Sequence, residues 1–426
     1  MFRITLAAIT LSLSLGSAMA EQILLTGGDV LDVQRERIVQ NQDILIENDT
    51  IIAIATRGSI PTAPDATIVD MAGATLLPGL SDSHVHLTSR SDVHGYRRLT
   101  VSTPRAAISG VANARKTLRA GFTTVRNLGA PGFADVDLKN AIDEGEVPGP
   151  RIIPAGRSLG ITGGHCDSNL LPYEYNQTAG GVADGPWAAR NKVRENKKYG
   201  AEVIKFCGTG GVLSKGTSIG AQQFSLEEMT AIVDEARLLG LKVAVHAHGT
   251  NGIQAALTAG VDSVEHASMI SDEGIALAIA NGTYLSMDVY VSDFILSEGE
   301  AAGILPESLD KERQVGRIQR ERFQAAVEAG ANMAFGTDAG VYSHGLNGRQ
   351  FAYMVEWGMT PMQAIQAATI GNAALFGLED QIGSIEVGKS ADIIAVAGNP
   401  LTNIRELEDI DFVMARGSIF VNELAQ

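Results

Sequence analysis

Residues 75–86 read Thr-Leu-Leu-Pro-Gly-Leu-Ser-Asp-Ser-His-Val-His, and the way this run is parsed decides the way the chain is parsed. A short apolar strand delivers two histidines at its end. On a β-strand, residues i and i+2 project from the same face, so His84 and His86 can converge on one cation. Two histidines at a strand end also have an ordinary alternative, with no metal at all. What the other strands place at the same level has to decide between them.

Working outward from 75–80, seven more short apolar runs follow, at 123–127, 151–155, 203–206, 242–245, 263–265, 284–287 and 332–335. Helix-patterned stretches separate them. The clearest is 226–239, where Ser225 and Glu228 form a capping box and Gly240 ends the helix. Eight strand–helix repeats joined by right-handed crossovers predict an α/β protein with a (β/α)8 TIM-type barrel. An open doubly wound sheet is the alternative, but no phosphate-binding glycine fingerprint follows the first strand. Barrel enzymes build their sites at the C-terminal strand ends. The segments 160–185 and 291–306, after strands three and seven, are therefore expected as loops that wall or cover a site.

Those strand ends are not random. Lys205 lies in strand four, His246 and His248 end strand five, His266 ends strand six, and Asp338 ends strand eight. An unpaired ammonium inside a barrel is costly, and the ordinary reading of Lys205 is a lysine paired with a barrel carboxylate. Five strands presenting ligand-type side chains at one end point to metal. Imidazole nitrogens and carboxylate oxygens suit zinc, and Mn, Co or Fe also fit such donors.

The chain ends are different in character. Runs at 23–32, 43–54, 391–396, 412–414 and 418–421 are β-rich and broken by Gly, Asn and Asp. They predict one small antiparallel β-sandwich domain made by both ends, with the barrel inserted. The expected division is 21–75 and 381–426 for the sandwich and 76–380 for the barrel. Residues 1–20 carry one charge, Arg3, an apolar run at 4–15, and Ser17-Ala18-Met19-Ala20 at the end. This is the pattern of a cleaved signal peptide, so the protein is expected to be exported, periplasmic or secreted. No later run is apolar and long enough for a membrane helix, so no membrane association is expected after cleavage. An exported protein could pair its two cysteines, Cys166 and Cys207. The 33 Lys and Arg against 49 Asp and Glu give a net charge of −16, which argues against nucleic acid as a partner.

The ligand set, the run Gly383-Ser384-Ile385-Glu386-Val387-Gly388-Lys389-Ser390-Ala391-Asp392 and the Asn399-Pro400 turn together resemble the binuclear amidohydrolase superfamily. The resemblance covers essentially the whole mature chain. Within the superfamily the sequence is similar to the prolidase and carboxypeptidase-like group that includes ochratoxin-hydrolysing enzymes. It shares Thr162-Gly163-Gly164-His165, Gly208-Thr209-Gly210-Gly211-Val212, His246-Ala247-His248-Gly249 and Gly336-Thr337-Asp338-Ala339-Gly340. One departure is Cys166, where that group is expected to have glycine.

The resemblance implies two divalent metal ions, first of all zinc. His84, His86 and Asp338 would hold the more buried ion, and His246 and His266 the other. Lys205, carbamylated by carbon dioxide, would bridge them as an anion that the cations stabilise. A metal-bridging hydroxide would attack the substrate, and Asp338 would carry its proton to the leaving amine. His165 and Tyr290 would stabilise the oxyanion or bind the substrate carboxylate. His248 would contact substrate or support the ligands, and His344 would line the pocket. His94 reads as a loop histidine. Arg126 is either an ion-pair partner or a carboxylate clamp, and Asp288 is open in the same way. The implied reaction releases a C-terminal amino acid from a dipeptide, an N-acyl amino acid or an ochratoxin-like amide, by a homo-oligomer. Cyclic amidase, lactonase and phosphotriesterase activity are the alternatives on the same ligands. A deaminase fits less well, because Ala247, His248 and Gly249 follow His246 where deaminating relatives carry a glutamate. A non-catalytic metal-binding scaffold is the alternative of another kind; it would be favoured by a missing ligand, and none is missing.

Overall fold

The computed structural model describes residues 21–424; the expected signal peptide lies outside them. The chain opens with β1 (Gln22–Asp32), β2 (Arg37–Glu47), β3 (Thr50–Thr56), β4 (Thr67–Asp70) and β5 (Thr75–Pro78). Eight strands follow: β6 (Leu80–Val85), β7 (Phe122–Asn127), β8 (Arg151–Pro154), β9 (Val203–Cys207), β10 (Lys242–Ala247), β11 (Ser263–His266), β12 (Tyr284–Ser286) and β13 (Met333–Ala334). The end of the chain adds β14 (Ile393–Val396), β15 (Phe412–Ala415) and β16 (Ser418–Asn422).

Strands from both chain ends share one sheet, in the order β16-β15-β14-β5-β1-β2-β3, with β4 also on β1. It is mixed and not purely antiparallel, because β4 and β5 both run parallel to β1. Its period-two pattern separates two cores. Leu76, Ile393, Ala395, Phe412 and Met414 bury into the core of this β-rich domain. Their neighbours Leu77, Ile394, Val396, Val413 and Ala415 bury into the main core. Alternate residues point to opposite faces, so both faces are apolar. Each fully buried Ile, Leu or Phe contributes about 1.5–3 kcal/mol.

The expected first barrel strand, 75–80, is in fact two strands. Residues 75–78 pair in the terminal sheet with β14, and β6 begins at Leu80. The switch falls at Gly79, whose N–H donates to Asp392 O at 2.7 Å, while Leu80 N–H donates to Gly121 O at 3.0 Å. A Cβ on Gly79 would overlap Thr123 Oγ1, so only glycine lets the chain cross here.

Strands β6–β8 form one parallel sheet and β9–β13 another. Backbone hydrogen bonds also run between them. Leu159 N–H donates to Lys205 O at 2.8 Å, and Cys207 N–H donates to Leu159 O at 2.9 Å. At the other junction Ser83 N–H donates to Phe335 O at 2.8 Å and His86 N–H to Ala339 O at 2.7 Å. The arrangement is a TIM-barrel-type fold with a separate β-rich domain. Helix Leu226–Leu238 has the expected capping box, with Glu228 N–H 3.3 Å from Ser225 Oγ and Ser225 N–H 2.8 Å from Glu228 Oε2. Segment 160–185 holds the short 3-10 turn Tyr173–Tyr175 and a single β-bridge between Gly160 and Val182. Segment 291–306 is not a loop: Val291–Ser297 and Gly299–Ala302 are helical, because Val291, Phe294 and Ile295 form a buried stripe. Among the described residues no helix is long and apolar enough to cross a membrane.

Candidate metal centre

His84 and His86 leave β6 on the same face, and Asp338 meets both. Its Oδ1 lies 3.5 Å from His84 Nε2 and 3.3 Å from His86 Nε2. The ligand atoms of these three residues lie within 4.8 Å of one another. His246, His248 and His266 make a second such group, and His266, Asp288 and Asp338 a third that joins the other two. His84 and His266 have ring centroids 5.1 Å apart. Lys205 is buried in β9 beside β10, and Cys207, two residues on, is level with His246.

Two of these side chains are aimed by unusual backbone. His266 has φ 67° and Asp338 has φ 55°, the left-handed region that non-glycine residues avoid. Such strain costs of order 1–3 kcal/mol per residue and persists only where the surroundings impose it. Around Asp338 the surroundings are visible. Asp82 accepts from His84 N–H (3.1 Å), Thr337 N–H (3.2 Å), Thr337 Oγ1 (2.6 Å) and Asn347 Nδ2 (2.8 Å). Burial pushes the Asp82 carboxyl up to about 7. Yet all four hydrogen bonds are donated to it, so the ionised carboxylate is the form this pocket satisfies. Asp82 thereby clamps the turn that carries Asp338 against the strand that carries His84.

Most of the rings are held through Nδ1, which leaves Nε2 to face inward. His266 Nδ1 lies 2.9 Å from Asp288 Oδ1, and Gln319 Nε2 donates to the same oxygen at 2.7 Å. His248 Nδ1 pairs with Ser268 Oγ and His165 Nδ1 with Ser214 Oγ, each at 2.8 Å. His84 is the exception: its Nδ1 lies 3.2 Å from Glu265 Oε2 without a hydrogen bond between them, while Arg126 Nη2 holds the other Glu265 oxygen at 2.8 Å. His86 Nδ1 is 3.4 Å from Gly129 O. Anchoring one ring nitrogen this way sets the tautomer and the aim of a metal-ligating histidine.

The residues fit a metal. His246 Nε2 is buried with no hydrogen-bond partner among the described residues, which costs about 1–3 kcal/mol unless something binds it. Burial, then the neighbouring imidazoles, hold His246 and His248 well below the usual histidine range. Burial and the Lys205 charge bring His84 down to about 4. Their lone pairs are therefore free at neutral pH. For His266 burial acts downward, but the Asp288 carboxylate outweighs it and raises the ring. Burial acts upward on Asp338, yet His84, His86 and His266 hold it well below the carboxylate range. Among the described residues no carboxylate oxygen lies within 4.0 Å of Lys205 Nζ, so the paired-lysine alternative has no partner. Burial lowers this amine to about 8, partly offset by Glu265 and Asp338. Gly211 completes the cradle, because a Cβ there would overlap both the His165 ring and His246 Nε2.

The structure brings His84, His86, Lys205, His246, His266 and Asp338 to one place. His165 joins them, its ring stacked on that of His246 with centroids 4.0 Å apart. His248 stands nearer the ligands than expected, within the same ligand-atom group as His246 and His266. Tyr290 packs edge-on against Tyr342, and its hydroxyl accepts from Arg349 Nη1 at 3.0 Å. His344 departs from the expectation that it lines the pocket. Its Nδ1 faces Thr117 Oγ1 at 3.0 Å and its Nε2 faces His86 O at 3.2 Å, so both nitrogens are spent on structure. His94 is likewise occupied, by Val341 O at 2.9 Å. Of the two open cases, Arg126 pairs with Glu265 at 2.8 Å, and the Asp288 carboxylate faces His266 Nδ1 at 2.9 Å. The sequence reading missed Glu265, Asp82, Ser214, Ser268 and Gln319. Among these, only the carboxylates flanking the histidines in β6 and β11 left a signal to find.

Comparison with known proteins now gives the site a family. The amidohydrolase family pattern matches residues 75–420. The chain is 31% identical over 407 residues to an ochratoxinase of Aspergillus niger, covering 90% of this chain and 83% of that protein. Among solved structures, it is similar to a Xaa-Pro dipeptidase with methionine bound in the active site, at 38% identity and TM-score 0.89, covering 94% of this chain and all of the other. It is also similar to a prolidase in complex with N-methylphosphonate-L-proline, at 30% identity and TM-score 0.86, with 94% and 100% covered.

Proposed function

The chain belongs to the amidohydrolase family, in its prolidase-like and ochratoxinase-like group, and is a hydrolytic enzyme acting on amide bonds; from that premise we propose that it releases a C-terminal amino acid from dipeptides, N-acyl amino acids or ochratoxin-like amides at a two-metal centre. The observation that carries the two-metal reading is Lys205, a buried amine with no carboxylate oxygen within 4.0 Å among the described residues. In its neutral form Nζ bonds to the carbon of carbon dioxide and releases one proton to water. The resulting carbamate would supply anionic oxygen donors, with His84, His86 and Asp338 as the residues that would hold one ion and His246 and His266 those that would hold the other. Zinc is the first candidate for both ions. When bound, the ions supply a Lewis acid for the scissile carbonyl and a water acidic enough to attack near neutral pH.

The chain's own groups do the rest. Asp338, ionised and held by its clamped turn, takes the proton of the attacking water and delivers it to the leaving nitrogen. His165 is kept neutral by burial, at about 3. With Ser214 Oγ donating to Nδ1, its Nε2 carries the hydrogen and donates to the developing oxyanion. His248 and Tyr290 bound the substrate. Arg98 is exposed and has no ion pair among the described residues, and its charge bears on His165. It is suited to receive the substrate's free α-carboxylate. The relatives whose ligands are an amino acid and a proline phosphonate support this choice of leaving group.

The architecture that goes with this reading is a closed (β/α)8 barrel that begins at β6 and is set into a β-rich domain made by both chain ends; the 75/76 boundary expected from the sequence moves to Gly79, because Thr75–Pro78 pairs with β14. Export to the periplasm or medium is supported by the paired cysteines, since disulfides persist in oxidising compartments. The test is a hydrolysis screen with the zinc-loaded protein. It sets Xaa-Pro, Xaa-Phe and Xaa-Arg dipeptides, N-acyl amino acids and ochratoxin A against their C-terminal amides and a lactone. Turnover of the free acids, with at least a tenfold loss on amidation, is the expected result. Equal turnover of acid and amide, or turnover of the lactone alone, overturns the reading.

A further inference from the structure

Cys166 and Cys207 form a disulfide, with their Cα atoms 5.9 Å apart. Each half sits beside the centre. Cys166 directly follows His165. Cys207 ends β9, two residues after Lys205, and is the register partner of His246 in β10. The bond therefore ties the chain carrying His165 to the strand carrying the buried lysine, beside the histidine on which His165 stacks.

His165 has little else to hold it to regular structure. It lies in an excursion closed at its neck by Gly160 N–H to Gly181 O at 3.3 Å and Ala183 N–H to Gly160 O at 2.8 Å. Its backbone N–H donates to Gln223 Oε1 at 3.0 Å and its ring meets Ser214 Oγ at 2.8 Å. Both partners lie in the stretch 208–224, which has neither helix nor strand. The contacts of Gly163, Gly164 and Asn169 are made within the excursion itself. Besides the stacking of His165 on His246, the only covalent or hydrogen-bonded link from this excursion's middle to a barrel strand, among the described residues, is the disulfide.

We propose that the Cys166–Cys207 disulfide is a positioning element of the reaction: it holds the His165 imidazole stacked over His246, and breaking it lowers turnover by releasing His165. Catalytic groups displaced by about 1 Å can lose about a hundredfold in rate. The inference rests on the role given to His165 above. Its test uses the metal-loaded protein and a water-soluble phosphine. The phosphine donates two electrons to the S–S bond, two thiols form with two protons from water, and the phosphorus leaves as its oxide.

Three readouts are combined: titrated thiols, the imidazole spectrum of the eight histidines, and kcat against KM. The expected result is no free thiol before reduction and two after. The His165 ring signals, assigned with His165→Ala, shift on reduction while those of His84 stay. The kcat falls about tenfold or more, with KM changing less than threefold and metal content unchanged. Because neighbours in one unit are non-additive, reduction changes kcat less than twofold in His165→Ala. Cys166→Gly behaves like the reduced enzyme and ignores the phosphine. Free thiols in the untreated protein overturn the proposal, as does a His165 signal that reduction leaves in place. An equal fold-loss in the wild type and His165→Ala also overturns it, by showing a general structural effect. A silent substrate screen would sink the proposed function, yet the thiol and ring readouts would still decide this inference.

Discussion

Replacing Arg126 by methionine separates the two roles that its sequence position allows. Its guanidinium is 2% exposed, with Nη2 2.8 Å from Glu265 Oε1 and Nε 2.7 Å from Ser83 O. Methionine fills much of the volume and removes the charge, leaving the fully buried Glu265 with only Ser263 Oγ and the His84 ring. Breaking a buried pair from one side costs about 3–5 kcal/mol. At about 2.1 cal/mol/K per residue, the unfolding entropy of a chain this long is about 0.9 kcal/mol/K, so Tm should fall by about 3–6 °C. The pH dependence gives a sharper test. In the wild type burial acts upward on Glu265, but Arg126, His84 and Lys205 together hold it well below its ordinary value of 4.5. Its stabilising contribution is then complete above 4.5 and is lost only in stronger acid. In Arg126→Met the largest opposing cause is gone, burial should outweigh what His84 and Lys205 still supply, and the carboxyl should rise above 4.5, so the folded state gains protons more readily than the unfolded one. The variant's deficit should therefore shrink as pH falls from 8 towards 5. The assay is calorimetric Tm of both metal-free proteins across that range, compared as a difference so that the shared histidines cancel. A deficit that stays flat or grows in acid refutes the reasoning. An unchanged Tm with KM raised about a hundredfold for free-acid substrates would make Arg126 a carboxylate clamp after all.

Lys205→Ala should lose about half or more of the bound metal and nearly all activity, with partial recovery in millimolar acetate or propionate, read by elemental analysis and rate. Full metal and full rate without such acids would remove the bridging carbamate. Asp338→Asn should lower kcat by about 10²–10⁴ with the metal retained, as loss of a proton carrier does; a rate within a few-fold of wild type would move that role elsewhere. Asp288→Asn should weaken metal binding about 10–100-fold by releasing the His266 ring, measured by competition with a chromophoric chelator. Reconstitution of metal-free protein with zinc and bicarbonate should speed up as pH rises through about 8, because burial lowers Lys205 to that value and only the neutral amine takes up carbon dioxide. A rate independent of pH between 7 and 9 would count against it.

The local code carried a great deal. An i, i+2 histidine pair on a strand shares a face whatever the rest of the chain does, so His84 and His86 were legible in a dozen residues. A lysine inside an apolar strand is anomalous in any packed core, so Lys205 stood out before any contact was known. Capping at Ser225 and Glu228 is likewise settled within one helical turn. Tertiary structure decided everything that depends on which distant segments meet. Arg126 and Glu265 are 139 residues apart, and Asp82 and Thr337 are 255 apart. Only the coming together of β6, β7, β11 and β13 makes one pair an ion bridge and the other a clamp. The serines and the glutamine that anchor the rings carry no pattern of their own, because a hydroxyl becomes an orienter only when a ring nitrogen arrives beside it. The cut at Gly79 was hidden because 75–80 is continuous in hydropathy. It was set instead by the room left beside Thr123, which no sequence window contains. The pairing of Cys166 with Cys207 was open for the same reason. Hydropathy period and side-chain type are properties of short segments, whereas partner identity, ring tautomer and buried charge balance are properties of the folded whole.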